Sequence, residues 1–343
     1  AKGLSVRVAA CNSTGADAVI AGTLTITDFF DKRVHEEQVS LPVKAGENVV
    51  RSLHGLARGR TGFFRVTWSP AGGSALSQNL RCMVIEPYED PDSVFGMNHA
   101  YGWPFMLQLA KRAGLTWWRD WSVKWHEVEP KKGQFDFSGT DPQIDRVVDE
   151  GLNLEVMFPF PSCDWTTTAD MDAIRTVESN QYRHRVMKYA CAANSEPDFR
   201  NYVARSVRHY GDRIQYYQVF NEPVYTHYSL PHRLGYQVSD YIHWLNIAAD
   251  AIRSERSDAV VVGGMGIWAS SRWTHDFVNS GGLAKIDVLD LHNYPVTADP
   301  ESYEPDMAEL ARIMNQRGEV RPMWLTEFGC YADDDPYRTP QKI

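Results

Sequence analysis

The chain has 343 residues, of which 43% are hydrophobic and 12% aromatic, a composition that excludes a disordered polymer. Its 35 basic and 44 acidic side chains leave a net charge of −9, so a phosphate backbone would feel little long-range attraction and nucleic-acid binding is disfavoured. No apolar run approaches the roughly 18–20 residues that a membrane span requires.

The first ~85 residues carry the two-residue alternation of strands. Runs are read at Leu4–Ala10, Gly22–Thr27, Val34–Leu41, Asn48–Leu53, Thr61–Trp68 and Leu80–Ile85, separated by turn clusters such as Asn12-Ser-Thr-Gly15 and Lys44-Ala-Gly46. Six short strands at this spacing predict a small all-β accessory domain, an immunoglobulin-like sandwich, over residues 1–87. Its expected role is structural. The acidic, proline-bearing stretch 86–92 reads as a linker.

From residue 93 onward strands alternate with helices. Strands are predicted at Val94–Asn98, Leu115–Asp120, Leu152–Phe158, Ile214–Phe220, Ala259–Gly264, Ile286–Leu291 and Met323–Thr326. Helices are predicted at Pro104–Ala113, Pro142–Glu150, Pro197–Tyr210, Gly235–Ser254 and Glu304–Gln316. Such alternation builds a parallel sheet covered by helices, and seven units in series point to a (β/α)8 barrel over 93–343. The eighth strand is expected to be missing from this chain, because Ile343 falls about where the seventh helix would begin. Seven strands alone leave two sheet edges.

The five cysteines form no Cys-x-x-Cys pair, which argues against zinc-ribbon and thioredoxin-type sites. Cys163 and Cys191 are the pair able to close a loop, but buried free thiols are the preferred reading. There is no His-Glu-x-x-His helix, no phosphate loop and no Gly-x-Ser-x-Gly elbow, and no cofactor or metal is implied. No charged, apolar leader precedes Ala1. The expected location is secreted or periplasmic, and the oligomeric state stays open.

Reactive groups of such a barrel sit at the C-terminal ends of its strands. The fourth strand runs into Asn221-Glu222-Pro223, and the seventh ends Trp324-Leu-Thr-Glu327-Phe-Gly329. Strands four and seven face each other across the barrel mouth, so the two carboxylates can converge. A pair about 5–5.5 Å apart is what a retaining glycosidase needs, one protonated to assist the leaving group and one ionised to attack the sugar.

The two phrases resemble the acid/base and nucleophile signatures of clan A glycoside hydrolases, and the chain is most similar to glycoside hydrolase family 39. Trp118-Arg119-Asp120, Glu129-Pro130 with Gly133-Gln-Phe135-Asp136-Phe137, and His292-Asn-Tyr294-Pro295 complete the resemblance, which spans about residues 93–331. It implies that Glu222 is the acid/base and Glu327 the nucleophile. Asn221 would hold the sugar 2-hydroxyl, Arg119 would keep Glu327 ionised, Tyr294 would hydrogen-bond it, and His292 and His99 would line the sugar subsite. Among the tryptophans near strand ends, Trp165 and Trp268 are the expected stacking surfaces for pyranose rings.

The expected activity is hydrolysis of β-type bonds in an oligo- or polysaccharide through a covalent glycosyl-enzyme. The alternatives are a catalytically silent carbohydrate-binding barrel and a transglycosylase sharing that intermediate. The excursion from Pro161 to Pro197 carries Arg183, Arg185 and Lys188. These are read as a solvated helical face, with contact to an anionic sugar as the competing hypothesis.

Overall fold

The computed structural model of the chain describes residues 3–72, 78–86, 88, 90–98, 102–294 and 300–329. The chain divides after Tyr88 into two compact units.

The first unit contains β1 (Leu4–Cys11), β2 (Ala18–Asp28), β3 (Arg33–Val43), β4 (Asn48–Leu56), β5 (Gly62–Pro70) and β6 (Gln78–Val84). They form an antiparallel four-stranded sheet in the order β3-β2-β5-β6 and a two-stranded sheet, β1-β4. The alternation seen in the sequence decides which face is buried. On β3, Val39, Leu41 and Val43 point inward while Gln38, Ser40 and Pro42 stay on the other face. Both sheets feed one hydrophobic cluster, in which Val8 and Leu53 join Leu24, Ile26, Leu41, Phe64 and Val66. Each such side chain is worth about 1.5–3 kcal/mol when removed from water.

The second unit runs β7 (Gly96–Asn98), α1 (Pro104–Arg112), β8 (Trp117–Asp120), α2 (Trp125–Val128), α3 (Asp141–Asp149), β9 (Asn153–Phe158), α4 (Met171–Val177), α5 (Gln181–Ala190), α6 (Glu196–Tyr210) and β10 (Tyr216–Val219). It continues with α7 (Val238–Glu255), β11 (Val260–Gly263), α8 (Arg272–Asn279), β12 (Val288–Asn293), α9 (Glu304–Arg317) and β13 (Met323–Phe328). Among the described residues the parallel sheet has seven strands in sequence order, β7 at one edge and β13 at the other. Residues 330–343, where any further strand signal would fall, lie outside the described residues.

The sheet curls almost into a ring. Trp117 of β8 lies 4.8 Å from Tyr216 of β10 and 5.0 Å from Trp324 of β13, measured between ring centroids. These rings plug the interior, so Trp324 is core and not a sugar surface. Strands β9 and β12 are buried almost end to end, as expected when both sheet faces are covered. The arrangement is a nearly closed (β/α) barrel.

Three helices were not anticipated. α4 and α5 occupy the long excursion after β9, and α8 follows β11. Their length hid them, at 7, 10 and 8 residues. Their caps were visible: Asp170, Asn180 and Ser271 each accept a backbone N–H of the first turn. Cys163 and Cys191 are buried free thiols, as expected; Cys11 and Cys82 are also free, and Cys330 lies outside the described residues. No helix among the described residues is long and apolar enough to cross a membrane.

Candidate active site

The barrel strands deliver their last residues to one mouth. Glu222 follows β10 and Glu327 is the penultimate residue of β13. His292, near the end of β12, stands between them with Nδ1 3.1 Å from Glu222 Oε1 and 3.7 Å from Glu327 Oε2. One ligand atom of each of the three residues lies within 4.8 Å of the others. The two carboxylates thus converge at the separation that double displacement requires.

Arg119 forms the floor. It is 3% exposed and sits on β8. Its Nη1 donates to Glu327 Oε2 at 3.1 Å and to Asn98 Oδ1 at 2.8 Å. Its Nη2 donates to Asn221 Oδ1 at 3.0 Å, and Nε to Gln218 Oε1 at 2.6 Å. The planar guanidinium fork is what lets one side chain fix residues from β7, β8, β10 and β13 together. Tyr294 donates its hydroxyl proton to Glu327 Oε1. Glu327 therefore receives a charge-assisted bond on one oxygen and a phenol on the other, both of which favour its ionised form.

Beneath this layer lie two buried acids. Asp290 on β12 accepts from Gln218 Nε2 at 2.9 Å and from the Thr326 hydroxyl. Glu155 on β9 is fully enclosed, with Oε1 4.0 Å from Arg119 Nε. Burial pushes its carboxyl up to about 8 despite the pull of Arg119, and Asp290 adds to the rise. Asn98, Glu155, Gln218 and Asp290 were not recognised in the sequence. They sit in strand runs where a polar residue on a buried face was the available signal.

The backbone around Glu222 is unusual. Phe220, Glu222 and Val224 all have positive φ, at 64°, 44° and 73°. Such left-handed residues are strained and persist where surroundings over-determine them. Gly266, with φ of 55°, sits against this turn: a Cβ there would lie 3.3 Å from Glu222 N and 3.2 Å from His292 Cε1.

The remaining expected residues separate. Trp268 is 51% exposed beyond β11 and keeps a face open to solvent. Trp165 has its indole N–H committed to the Glu129 carbonyl at 3.0 Å, packs edge-on against Trp125, and carries Lys132 over its ring. It is a packing residue in this structure, with its donor already used. His99 and Pro295 lie outside the described residues. The phrase Glu129-Pro130 to Phe137 is a structural buckle: Glu129, 1% exposed, accepts from Trp125 Nε1 and Gly133 N, each at 2.7 Å.

Basic residues of α5 are already partnered. Arg183 Nη1 lies 3.4 Å from Glu178 Oε2, Lys188 Nζ lies 2.7 Å from Asp164 Oδ1, and Arg185 lies against the Tyr189 hydroxyl. This is the solvated, ion-paired face preferred from the sequence.

Residues 99–229 match a glycoside hydrolase family described as beta-galactosidase, family 42. No curated protein sequence matches the chain. Among solved structures, a family 39 glycoside hydrolase from the gut symbiont Bacteroides cellulosilyticus WH2 is 17% identical, with a TM-score of 0.63 over 94% of this chain and 65% of that one. A glucosidase from Croceicoccus marinus is 14% identical, with a TM-score of 0.52 over 71% and 53% of the two chains. A GH39 beta-xylosidase from Caulobacter crescentus is 14% identical, with a TM-score of 0.51 over 70% and 54%. This chain thus spans about two thirds of the first and about half of the other two. At these identities the likeness establishes the fold. The resemblance to clan A glycoside hydrolases, and to family 39 among them, recurs in the family match and in the barrel.

Proposed function

We propose that the chain is a retaining glycosidase in which Glu327 is the nucleophile and Glu222 the acid/base. The observation that carries this reading is the convergence of Glu222, His292 and Glu327 within 4.8 Å at the barrel mouth, with Arg119 bound to one carboxylate only. That asymmetry is what two carboxyl groups need for opposite roles.

In the first step Glu327 attacks the anomeric carbon and forms a C–O bond. The bond to the leaving oxygen breaks, and that oxygen takes the Glu222 proton. In the second step water gives a proton to Glu222 and its oxygen to the anomeric carbon, releasing Glu327. Asn221 is held by Arg119 with its amide available to the sugar 2-hydroxyl, a bond that strengthens as the oxocarbenium ion develops. Tyr294, tied to Glu327, steadies the nucleophile.

We read the substrate as a β-linked oligo- or polysaccharide, with Trp268 as the open stacking surface. The N-terminal unit is read as an immunoglobulin-like sandwich with a structural role. The test is release of reducing ends from aryl β-glycosides and polysaccharides, with Glu327→Gln as the blank and the anomer of the first product read by NMR. Retention, lost in Glu327→Gln, supports the reading; inversion, or activity surviving in Glu327→Gln, overturns it.

A further inference from the structure

The turn that carries Glu222 has a tie that the mechanism above does not use. Tyr225, three residues on, donates its hydroxyl proton to the carbonyl of Gly266 in the loop after β11. A carbonyl only accepts, so the direction of this bond is fixed. The phenol oxygen also faces the Glu222 carboxyl. Burial first, and the neighbouring Glu222 carboxylate second, push its ionisation far above the ordinary tyrosine range, so it remains a phenol throughout.

The rest of the turn is pinned to a similar degree. Thr226 Oγ1 donates to the Glu222 carbonyl at 2.6 Å, Val224 N to Ser229 O at 2.8 Å, and Ser229 Oγ to Pro159 O at 2.8 Å. These bonds hold the positive-φ residues of the turn against relaxation. Tyr225 is distinct in joining that turn to the loop beneath His292, where Gly266 leaves no side chain in the way.

We propose that Tyr225 is a positioning residue for Glu222: it straps the Glu222 turn to Gly266 and presents the carboxyl with an oxygen able only to accept. An acceptor is a partner for the protonated carboxyl alone. Tyr225 therefore orients Glu222 in its acid form, the form that serves the leaving group. The inference rests on the reading of Glu222 as acid/base.

The experiment compares wild type, Tyr225→Phe and Glu222→Ala on phenyl, nitrophenyl and dinitrophenyl β-xylosides and β-galactosides, with Tm values for each. Tyr225→Phe is expected to slow phenyl glycosides about tenfold or more in kcat, with KM little changed, and to spare dinitrophenyl glycosides, whose departure needs no proton. A uniform loss across leaving groups, or no loss, overturns the proposal. If Glu222→Ala itself shows no leaving-group dependence, the acid/base reading fails and takes this inference with it.

A second measurement needs no substrate. Glu222→Gln places an amide N–H₂ where the protonated carboxyl stands, so its Tm should exceed that of Glu222→Ala while Tyr225 is present. That advantage should vanish when either change is combined with Tyr225→Phe. Additive Tm changes overturn the strap. A ring-fluorinated tyrosine at position 225 is a poorer acceptor in the same shape. It should show an intermediate leaving-group effect, and wild-type behaviour would count against the proposal.

Discussion

Arg119 on β8 sets Nη1 3.1 Å from Glu327 Oε2 on β13, although those strands stand five places apart in the sheet. The contact exists because the sheet curls until its distant strands face each other. It ties the barrel's shape to the charge of its nucleophile. Arg119→Lys keeps the positive charge but loses the fork that also holds Asn98, Gln218 and Asn221. We expect kcat/KM to fall on the order of a hundredfold. Arg119→Met should cost about 3–5 kcal/mol of stability, because it strands buried partners. Steady-state kinetics and thermal melts measure the two effects.

Glu155 predicts a pH dependence of stability. Its folded value of about 8 lies above the ordinary 4.5, so the folded state holds a proton that the unfolded chain has released across that window. Stability should therefore fall as pH rises from about 4.5 to 8, by up to about 1.4 kcal/mol per pH unit. Glu155→Gln removes the titration and keeps the shape. Its Tm should match wild type near pH 5 and exceed it near pH 8. Parallel Tm-against-pH curves would show that Glu155 does not titrate in this range.

Tyr294→Phe removes the phenol proton from Glu327 Oε1 while leaving the ring. A hydrogen bond to a charged group is worth about 1.5–3 kcal/mol, so turnover should drop roughly 10- to 100-fold. Because Tyr294 is 44% exposed, its Tm should barely move. A matched loss of Tm and activity would assign the residue to the fold.

Two neighbouring glycines should behave differently. A Cβ on Gly264 would lie 2.4 Å from the Asp290 carbonyl, which backbone cannot easily vacate, so Gly264→Ala should cost about 3 kcal/mol or more, the upper end for overpacking. Gly266→Ala meets the His292 ring at 3.2 Å and a φ of 55°. It should cost about 1–3 kcal/mol while reducing activity more than about tenfold, as His292 is pushed toward the carboxylates. Urea unfolding and kinetics on the same preparations separate the two.

The two tryptophans chosen from the sequence should also diverge. Trp165→Ala should lower stability by about 3 kcal/mol, through loss of its packing on Trp125 and its bond to Glu129. Trp268→Ala should leave Tm unchanged and raise KM for longer oligosaccharides. A Trp268 variant with unchanged KM at every substrate length would remove it from the sugar surface.

Much of the fold was legible because its signals are local. Val39, Leu41 and Val43 alternate on one strand, and the run from Val288 to Asn293 is buried throughout, patterns that depend only on neighbours in the chain. The phrases around Glu222 and Glu327 were legible for the same reason. α4, α5 and α8 were not, since short helices leave weak periodicity and rely on their capping residues. The Glu129 phrase was readable as a pattern, yet its role as a buckle around Trp125 and Gly133 required the folded loop.

By itself the sequence determined the order of strands and helices, the division near residue 88 and the identity of the two carboxylates, because those are written in consecutive residues. Tertiary structure alone decided that Arg119 serves Glu327 and leaves Glu222 to His292 and Tyr225. It likewise decided that Glu155 keeps its proton and that Trp165 is wall while Trp268 is open. Charge, burial and hydrogen-bond direction depend on which groups meet after the sheet has curled, and residues far apart in the chain acquire those properties only by meeting.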